Sequence, residues 1–223
     1  MSWPVIRAVF FDVGETIVDE TREYGTWADW LGVPRHTFSA VFGAVIASGK
    51  DYRETFQYFR PGFDLDRERD ERAAAGKPEH FGEKDLYPDA RACLEALRDA
   101  GLLVGLSGNQ TTRAEGILRS LELPIDVLGT SEGWGVEKPS PAFFTRLIAE
   151  ADCPAEQILY VGDRLDNDVR AALEAGIAGA FVRRGPWGYI WGEREELQRC
   201  LFRLDSLREL PGLVAGHNAQ AMD

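Results

Sequence analysis

The chain has 223 residues, of which 44% are hydrophobic and 28% charged, and a formal net charge of −12 at pH 7. That length allows one well-buried core, or a core with a small subdomain, but not two large domains. The acidic balance disfavours non-specific binding to nucleic acid, which needs a basic face, and an anionic substrate would have to be neutralised locally by a metal ion or a few placed cations.

The chain opens with an apolar run, Val5 to Phe11 (VIRAVFF), which reads as a buried strand. Arg7 interrupts the run and Asp12 ends it, so it is too short for a signal peptide or a membrane span. Asp12 is followed at once by Val-Gly-Glu-Thr. An aspartate in that place either starts a turn or presents a carboxylate at a sheet edge, and the local residues fit both. Aromatic-rich helical patterns then fill Thr21 to Ala75 (WADWLG, FSAVFGAVIASG, YRETFQYF, DLDRERDERAAAG), with breaks at Gly32, Gly49 and Pro61. No β-rich run interrupts them. Residues 20–87 are therefore expected to form a small all-helical insert, which the loop-like GKPEHFGEKDLYP brings to its end.

An alternation follows. Asp89 to Ala100 is helical, Leu102 to Leu106 extended, Arg113 to Leu121 helical and Ile125 to Thr130 extended. Ser140 to Ala151 reads as a helix, Ile158 to Val161 as a strand, Asp168 to Ala175 as a helix and Ala178 to Val182 as a last strand. Strands alternating with helices of this length argue for βαβ units and one parallel sheet, built from residues 1–19 and 88–223. GPWGYIWGEREELQRC and the tail after Pro211 carry no clear pattern.

Parallel sheets bind ligands beyond the carboxyl ends of their strands. Asp12 follows the first strand, Ser107-Gly108-Asn109 the second, Glu132 to Lys138 the third and Gly162-Asp163 the fourth. Carboxylates, a hydroxyl, an amide and an amine thus converge on one rim, a set suited to a magnesium ion and a phosphoryl group. The three cysteines, Cys93, Cys153 and Cys200, are scattered and odd in number, which suits a reducing compartment, and a cytoplasmic location is expected. The histidines, His36, His80 and His217, are equally dispersed and speak against zinc.

Four motifs occur in order: FFDVGET around Asp12, GLSGN around Ser107, EKPSPAFF around Lys138 and YVGDRLDNDVRAALEAG around Asp163, with FVRRG near the tail. In them the chain resembles the haloacid dehalogenase-like (HAD) superfamily, in the subgroup with a small helical cap after the first strand. The resemblance covers most of the chain outside the insert. It implies an α/β fold, a Rossmann-like parallel sheet flanked by helices with an all-α cap, and a hydrolase acting on a small phosphorylated metabolite with Mg2+. It also implies roles. Asp12 is the nucleophile that forms an aspartyl-phosphate. Ser107, Gly108, Asn109 and Lys138 bind the phosphoryl group, and Lys138 also neutralises Asp12. Asp12, the Gly14 carbonyl, Asp163 and Asp168 surround the metal. Taken singly, these residues have plainer readings: aspartates at a helix start, a solvated loop lysine, a capping serine.

The sequence departs from the superfamily at one place. Its phosphatases carry Asp-x-Asp, the second aspartate passing the proton, and Gly14 stands there instead. Loss of a positioned acid costs about 10²- to 10⁴-fold in rate. Glu15 is the nearest substitute, one residue out of phase. Otherwise the substrate has a leaving group that needs no proton, such as an acyl phosphate or an acidic phenol. The alternatives are a dehalogenase, a phosphonatase-like enzyme drawing on Lys50, Lys77 or Lys84 of the insert, and a weakly active binding or regulatory protein. The metal carboxylates count against the dehalogenase. Trp27, Trp30, Phe56, Tyr58 and Phe59 either line a substrate pocket or glue helices together, the commoner use of aromatic stripes. Arg53 and Arg60 are candidates for a second substrate anion. The expected partner is the small substrate alone, with no nucleic acid or membrane. A monomer or a homodimer is expected, WGYIW (Trp187 to Trp191) either making a dimer contact or packing back on the sheet.

Overall fold

Short runs of Val, Ile, Leu and Phe with no room for polar alternation must be covered on both faces, and a parallel sheet between helices does this. The computed structural model describes residues 3–222. It places β1 (Ala8–Phe11), β2 (Leu103–Gly108), β3 (Val127–Thr130), β4 (Ile158–Gly162), β5 (Ala178–Val182) and β6 (Phe202–Leu204) in one sheet of order β3-β2-β1-β4-β5-β6. Every pairing is parallel. All residues of β1, β4 and β5 are buried. Below the rim, Phe10, Phe143, Phe144, Leu147, Ile158, Tyr160 and Ile177 pack into one cluster. Each such side chain contributes about 1.5–3 kcal/mol.

The chain runs from β1 outward to β2 and β3, then returns to the other side of β1 for β4, β5 and β6. The direction of winding therefore reverses between β1 and β4, where doubly wound sheets open a crevice beyond their carboxyl ends. Register does the fine positioning. Phe11 pairs with Leu106 on one side and with Val161 on the other, so Asp12 stands level with Ser107 and Gly162.

Contacts divide the chain into two units, one running to Asp19 and resuming at Leu86, the other Glu20–Asp85. Leu86 and Tyr87, grouped with the insert on sequence grounds, belong with the sheet. Leu86 bridges Val18, and the Tyr87 N–H donates to the Ile17 carbonyl at 2.9 Å. The second unit holds helices Thr21–Leu31, Arg35–Ala47, Glu54–Phe59 and Leu65–Ala74, so the breaks fall at Gly32, Gly49 and Pro61. Its aromatics hold one another: Trp27 meets Phe56 at 5.4 Å, Phe56 stacks on Phe63 at 4.6 Å and Phe38 on Phe59 at 5.7 Å. Arg72 is buried over the Trp27 ring, 3.1 Å from Glu23.

Four elements differ from expectation. β6 has only three residues and one of them is exposed, too little apolar pattern to register in sequence. Gly185–Trp191 is helical, opened by Pro186 in its first turn, and Leu210–Met222 forms a last helix. The helix expected from Asp168 starts earlier, as a π turn at Leu165–Arg170 that continues into Ala171–Glu174. Among the described residues, no helix is long and apolar enough to cross a membrane.

Candidate active site

Asp12 extends the ladder by one step, its N–H donating to the Val161 carbonyl at 2.8 Å. The next residues fold into a tight loop in which Val13 O accepts from the N–H groups of Ile17 and Val18, each at 2.9 Å. Glu15 N–H closes the loop on Val18 O at 2.7 Å. This bridge uses the groups on either side of Gly14, turning Gly14's own N–H and C=O away from Val18. Two strand-end glycines let carboxylates lie against the rim. A Cβ on Gly108 would come 2.6 Å from Asp12 Oδ1, and one on Gly162 would collide with the Asp168 carboxylate.

Lys138 reaches this point from the loop before helix Pro141–Ala151. Its ammonium lies 2.8 Å from Asp12 Oδ1 and 2.6 Å from Asp168 Oδ1, 5.3 Å from the centre of the Tyr160 ring. Asn109 sets the Lys138 backbone: its side-chain oxygen accepts the Lys138 N–H at 2.8 Å and its amide donates to the Lys138 carbonyl at 2.9 Å. The side chain expected among phosphoryl binders is therefore engaged in holding the lysine. Asp168 comes from the π turn, a distortion often found at functional sites. Its second oxygen accepts the Arg164 N–H at 2.9 Å.

Asp12, Asp163 and Asp168 can each bring a carboxylate oxygen within 4.8 Å of the others, and all three are buried. Three carboxylates facing one ammonium leave a surplus of two negative charges. Burial, then repulsion from Asp168, Asp12 and Glu15, pushes the Asp163 carboxyl well above the ordinary range, against the pull of Arg164. Burial and the Asp12 charge push Asp168 up to about 6, with Lys138 opposing. Burial disfavours the Lys138 ammonium, yet Asp12 and Asp168 outweigh it and hold its pKa well above the usual lysine value. Asp163 Oδ2, Ser107 Oγ and Thr16 Oγ1 are buried without a hydrogen-bond partner. Unpaired oxygens at such a site are costly unless a ligand or ion meets them. The donor set is all oxygen, as a hard divalent cation requires.

Glu15 adopts a left-handed backbone conformation, φ 51°, that non-glycine residues rarely take. Its side chain lies over Gly185, and its Oε2 accepts the Tyr87 hydroxyl at 2.5 Å. Tyr87 and Asp89, two positions apart, carry no local site signal, and Arg184, marked in sequence only as part of FVRRG, lies 95 positions beyond Asp89 and meets them through the fold. Asp166 pairs with Arg164 at 2.8 Å. In the second unit Arg60 is tied to Glu68 at 2.8 Å and Arg53 to Asp51 at 3.1 Å, so both candidate anion binders have carboxylate partners. Lys50, Lys77 and Lys84 are exposed.

The family model for haloacid dehalogenase-like hydrolases matches residues 6–176. A glyceraldehyde 3-phosphate phosphatase of Pyrococcus furiosus is 28% identical over 229 aligned positions, spanning 94% of this chain and 92% of that one. The enzyme of that name from Methanopyrus kandleri is 33% identical over 133 positions, 56% of this chain and 57% of its own. Among solved structures, the HAD-hydrolase YfnB of Bacillus subtilis superposes with a TM-score of 0.70 at 18% identity, over 94% of this chain and 99% of that one. The matched span holds β1, β2, β3 and β4 with every carboxylate of the cluster, and the chain belongs to the haloacid dehalogenase-like hydrolase family.

Proposed function

We propose that the protein is a magnesium-dependent phosphatase of a small phosphorylated metabolite, working through an aspartyl-phosphate on Asp12. The observation that carries this reading is the buried triad Asp12, Asp163 and Asp168 with Lys138 wedged between two of its members. Phosphoryl transfer is mainly positioning and charge neutralisation, and this cluster provides both. Asp12, Asp163, Asp168 and the Gly14 carbonyl would hold Mg2+, which supplies charge for the phosphoryl oxygens and removes the repulsion among the carboxylates. A carboxylate oxygen of Asp12 attacks phosphorus, the bond to the leaving oxygen breaks, and water then attacks the phosphorus of the adduct to release phosphate and restore Asp12. Lys138 holds Asp12 in place and offsets the growing charge. The unpartnered Ser107 hydroxyl and the backbone beyond Gly108 receive phosphoryl oxygens. The unit Glu20–Asp85 is the cap in this reading. The relatives named as phosphatases of a three-carbon sugar phosphate support a substrate of that size.

The proton for the leaving group is the open element, since Gly14 has no side chain. A Glu15→Gln variant compared on alkyl and aryl phosphates separates two cases: a large loss on the alkyl ester alone assigns the proton to Glu15, and no loss on either removes Glu15 from the acid role.

The reading is tested by phosphate release from a panel of sugar phosphates, acyl phosphates, aryl phosphates and phosphonates, with and without Mg2+. Metal-dependent release is expected, and halide release from a 2-haloacid without metal would overturn it. Ser107→Ala should lower kcat/KM about 10²-fold, as for loss of one preorganised donor to a charged oxygen.

The carboxylate repulsion gives a metal prediction independent of turnover. A carboxyl with a raised folded pKa favours folding below its unfolded value of about 3.9 and costs stability as pH rises toward the folded value, about 6 for Asp168. Calorimetric melting should therefore show a Mg2+-induced rise in Tm that is larger at pH 7.5 than at pH ~5. Asp163→Asn should raise the stability of the metal-free protein at neutral pH by about 1–2 kcal/mol, an ordinary single-substitution effect, and abolish most of the Mg2+ shift.

A further inference from the structure

Outside the carboxylate cluster, a further buried charge of the sheet unit is Arg184, in the two-residue link between β5 and helix Gly185–Trp191. One arm of its guanidinium donates to the Thr16 carbonyl at 2.8 Å, the other to the Asp89 carboxylate, and its plane lies 4.3 Å from the centre of the Tyr87 ring. Thr16 belongs to the loop that starts at Asp12, while Tyr87 and Asp89 belong to the returning chain, so one side chain grips both. Tyr87 in turn donates to Glu15 at 2.5 Å, and Gly185, beside Arg184, packs within 2.5 Å of Glu15 Cγ once given a Cβ.

Asp89 shows that this is more than a chance pairing. It stands at the N-terminus of helix Ala90–Asp99, where an aspartate ordinarily caps, yet it makes no side-chain cap bond. Its Oδ2 accepts instead from Arg184, from the Ser206 hydroxyl at 2.7 Å and from the Leu207 N–H at 3.0 Å. Burial opposes its charge, but these bonds outweigh it and keep its pKa below the usual carboxylate range. A buried Arg–Asp pair adds little net stability over apolar residues of the same volume, so its use is better sought in fixing a geometry.

We propose that Arg184 is a positioning residue that, with Asp89 and Tyr87, fixes the loop from Asp12 to Thr16 and the Glu15 carboxylate upon it. It touches no reacting atom; it acts by holding the Thr16 carbonyl and the Tyr87 ring where the strained Glu15 conformation needs them. The effect on turnover rests on the phosphatase reading above, whereas the effect on the loop does not.

Arg184→Lys keeps a charge for Asp89, which protects folding, but a single ammonium cannot reproduce the two-armed fork. Expected are a Tm near the wild type, faster amide hydrogen exchange in residues 13–18 with β2 and β4 unchanged, and a kcat lowered about 10- to 10²-fold at nearly constant KM, the size of a sub-ångström to ångström misplacement. Arg184→Ala should recover part of its activity in millimolar guanidinium chloride and none in sodium chloride of equal ionic strength. Loop exchange at the wild-type rate in Arg184→Lys, together with kcat within about twofold of wild type, would overturn the proposal. So would activity losses in both variants that merely follow the unfolded fraction, with no guanidinium rescue. Faster loop exchange in a protein whose wild type releases no phosphate would uphold the positioning role and refute the phosphatase reading instead.

Discussion

Asp12→Asn yields a folded protein whose metal-dependent phosphate release is lower by ~10⁴-fold or more, equivalent to ~5 kcal/mol of transition-state stabilisation. The substitution keeps the shape of the side chain and removes its capacity to form an ester with phosphorus. Folding is spared because Lys138 retains Asp168 as a partner at 2.6 Å. The loss should appear in kcat with little change in KM, because an amide of equal size leaves the phosphoryl cradle of Ser107 in place. Steady-state kinetics on the best substrate of the panel, with circular dichroism as the folding control, checks it. Residual activity above a few per cent of wild type would move the nucleophile elsewhere.

Lys138→Met has the second largest effect, and it acts on stability and rate together. The ammonium is almost wholly enclosed and lies within ion-pair distance of two carboxylates. Removing one partner of a buried ion pair typically costs 3–5 kcal/mol, about the scale expected here for the metal-free protein. The deficit should grow as pH rises, since the remaining carboxylates then ionise with nothing to offset them. Mg2+ should restore part of it. Turnover should fall about 10²- to 10³-fold even with metal present, because charge beside the transferred group is missing. Urea unfolding in EDTA and in Mg2+ at two pH values measures the first part, and kcat the second. Lys138→Arg should not rescue, because a planar fork does not fit a space shaped for a compact ammonium.

How much of this was legible in the sequence follows from the range of the interactions. β1, β2, β4 and β5 are apolar runs of four to six residues that end in a glycine or are followed at once by a charged residue, and each was readable from its own composition. The rim residues were readable for the same reason, since a parallel sheet aligns whatever follows its strands. β6 was not, because its register against Ala180 and Val182 comes from its neighbour rather than from its own three residues. The contact of the Asn109 side chain was hidden: nothing in GLSGN shows that its amide will meet the backbone of Lys138, 29 positions away. Arg184 and Thr16 are 168 positions apart, and Tyr87 and Glu15 are 72 apart, so the knot behind the loop after Asp12 exists only once the sheet has formed. The π turn that aims Asp168 was equally hidden, since LDNDVR reads as the start of an ordinary helix.

In the proposed mechanism Asp12 becomes covalently phosphorylated while a cation and Lys138 absorb the charge. Crystals soaked with Mg2+ and beryllium fluoride test this most directly. Expected is a tetrahedral beryllium adduct on the Asp12 carboxylate, its fluorines facing Ser107 and Lys138, with a metal ion against Asp163. An unmodified Asp12 and no cation among the three aspartates, under conditions where the same crystals admit both reagents, would contradict it.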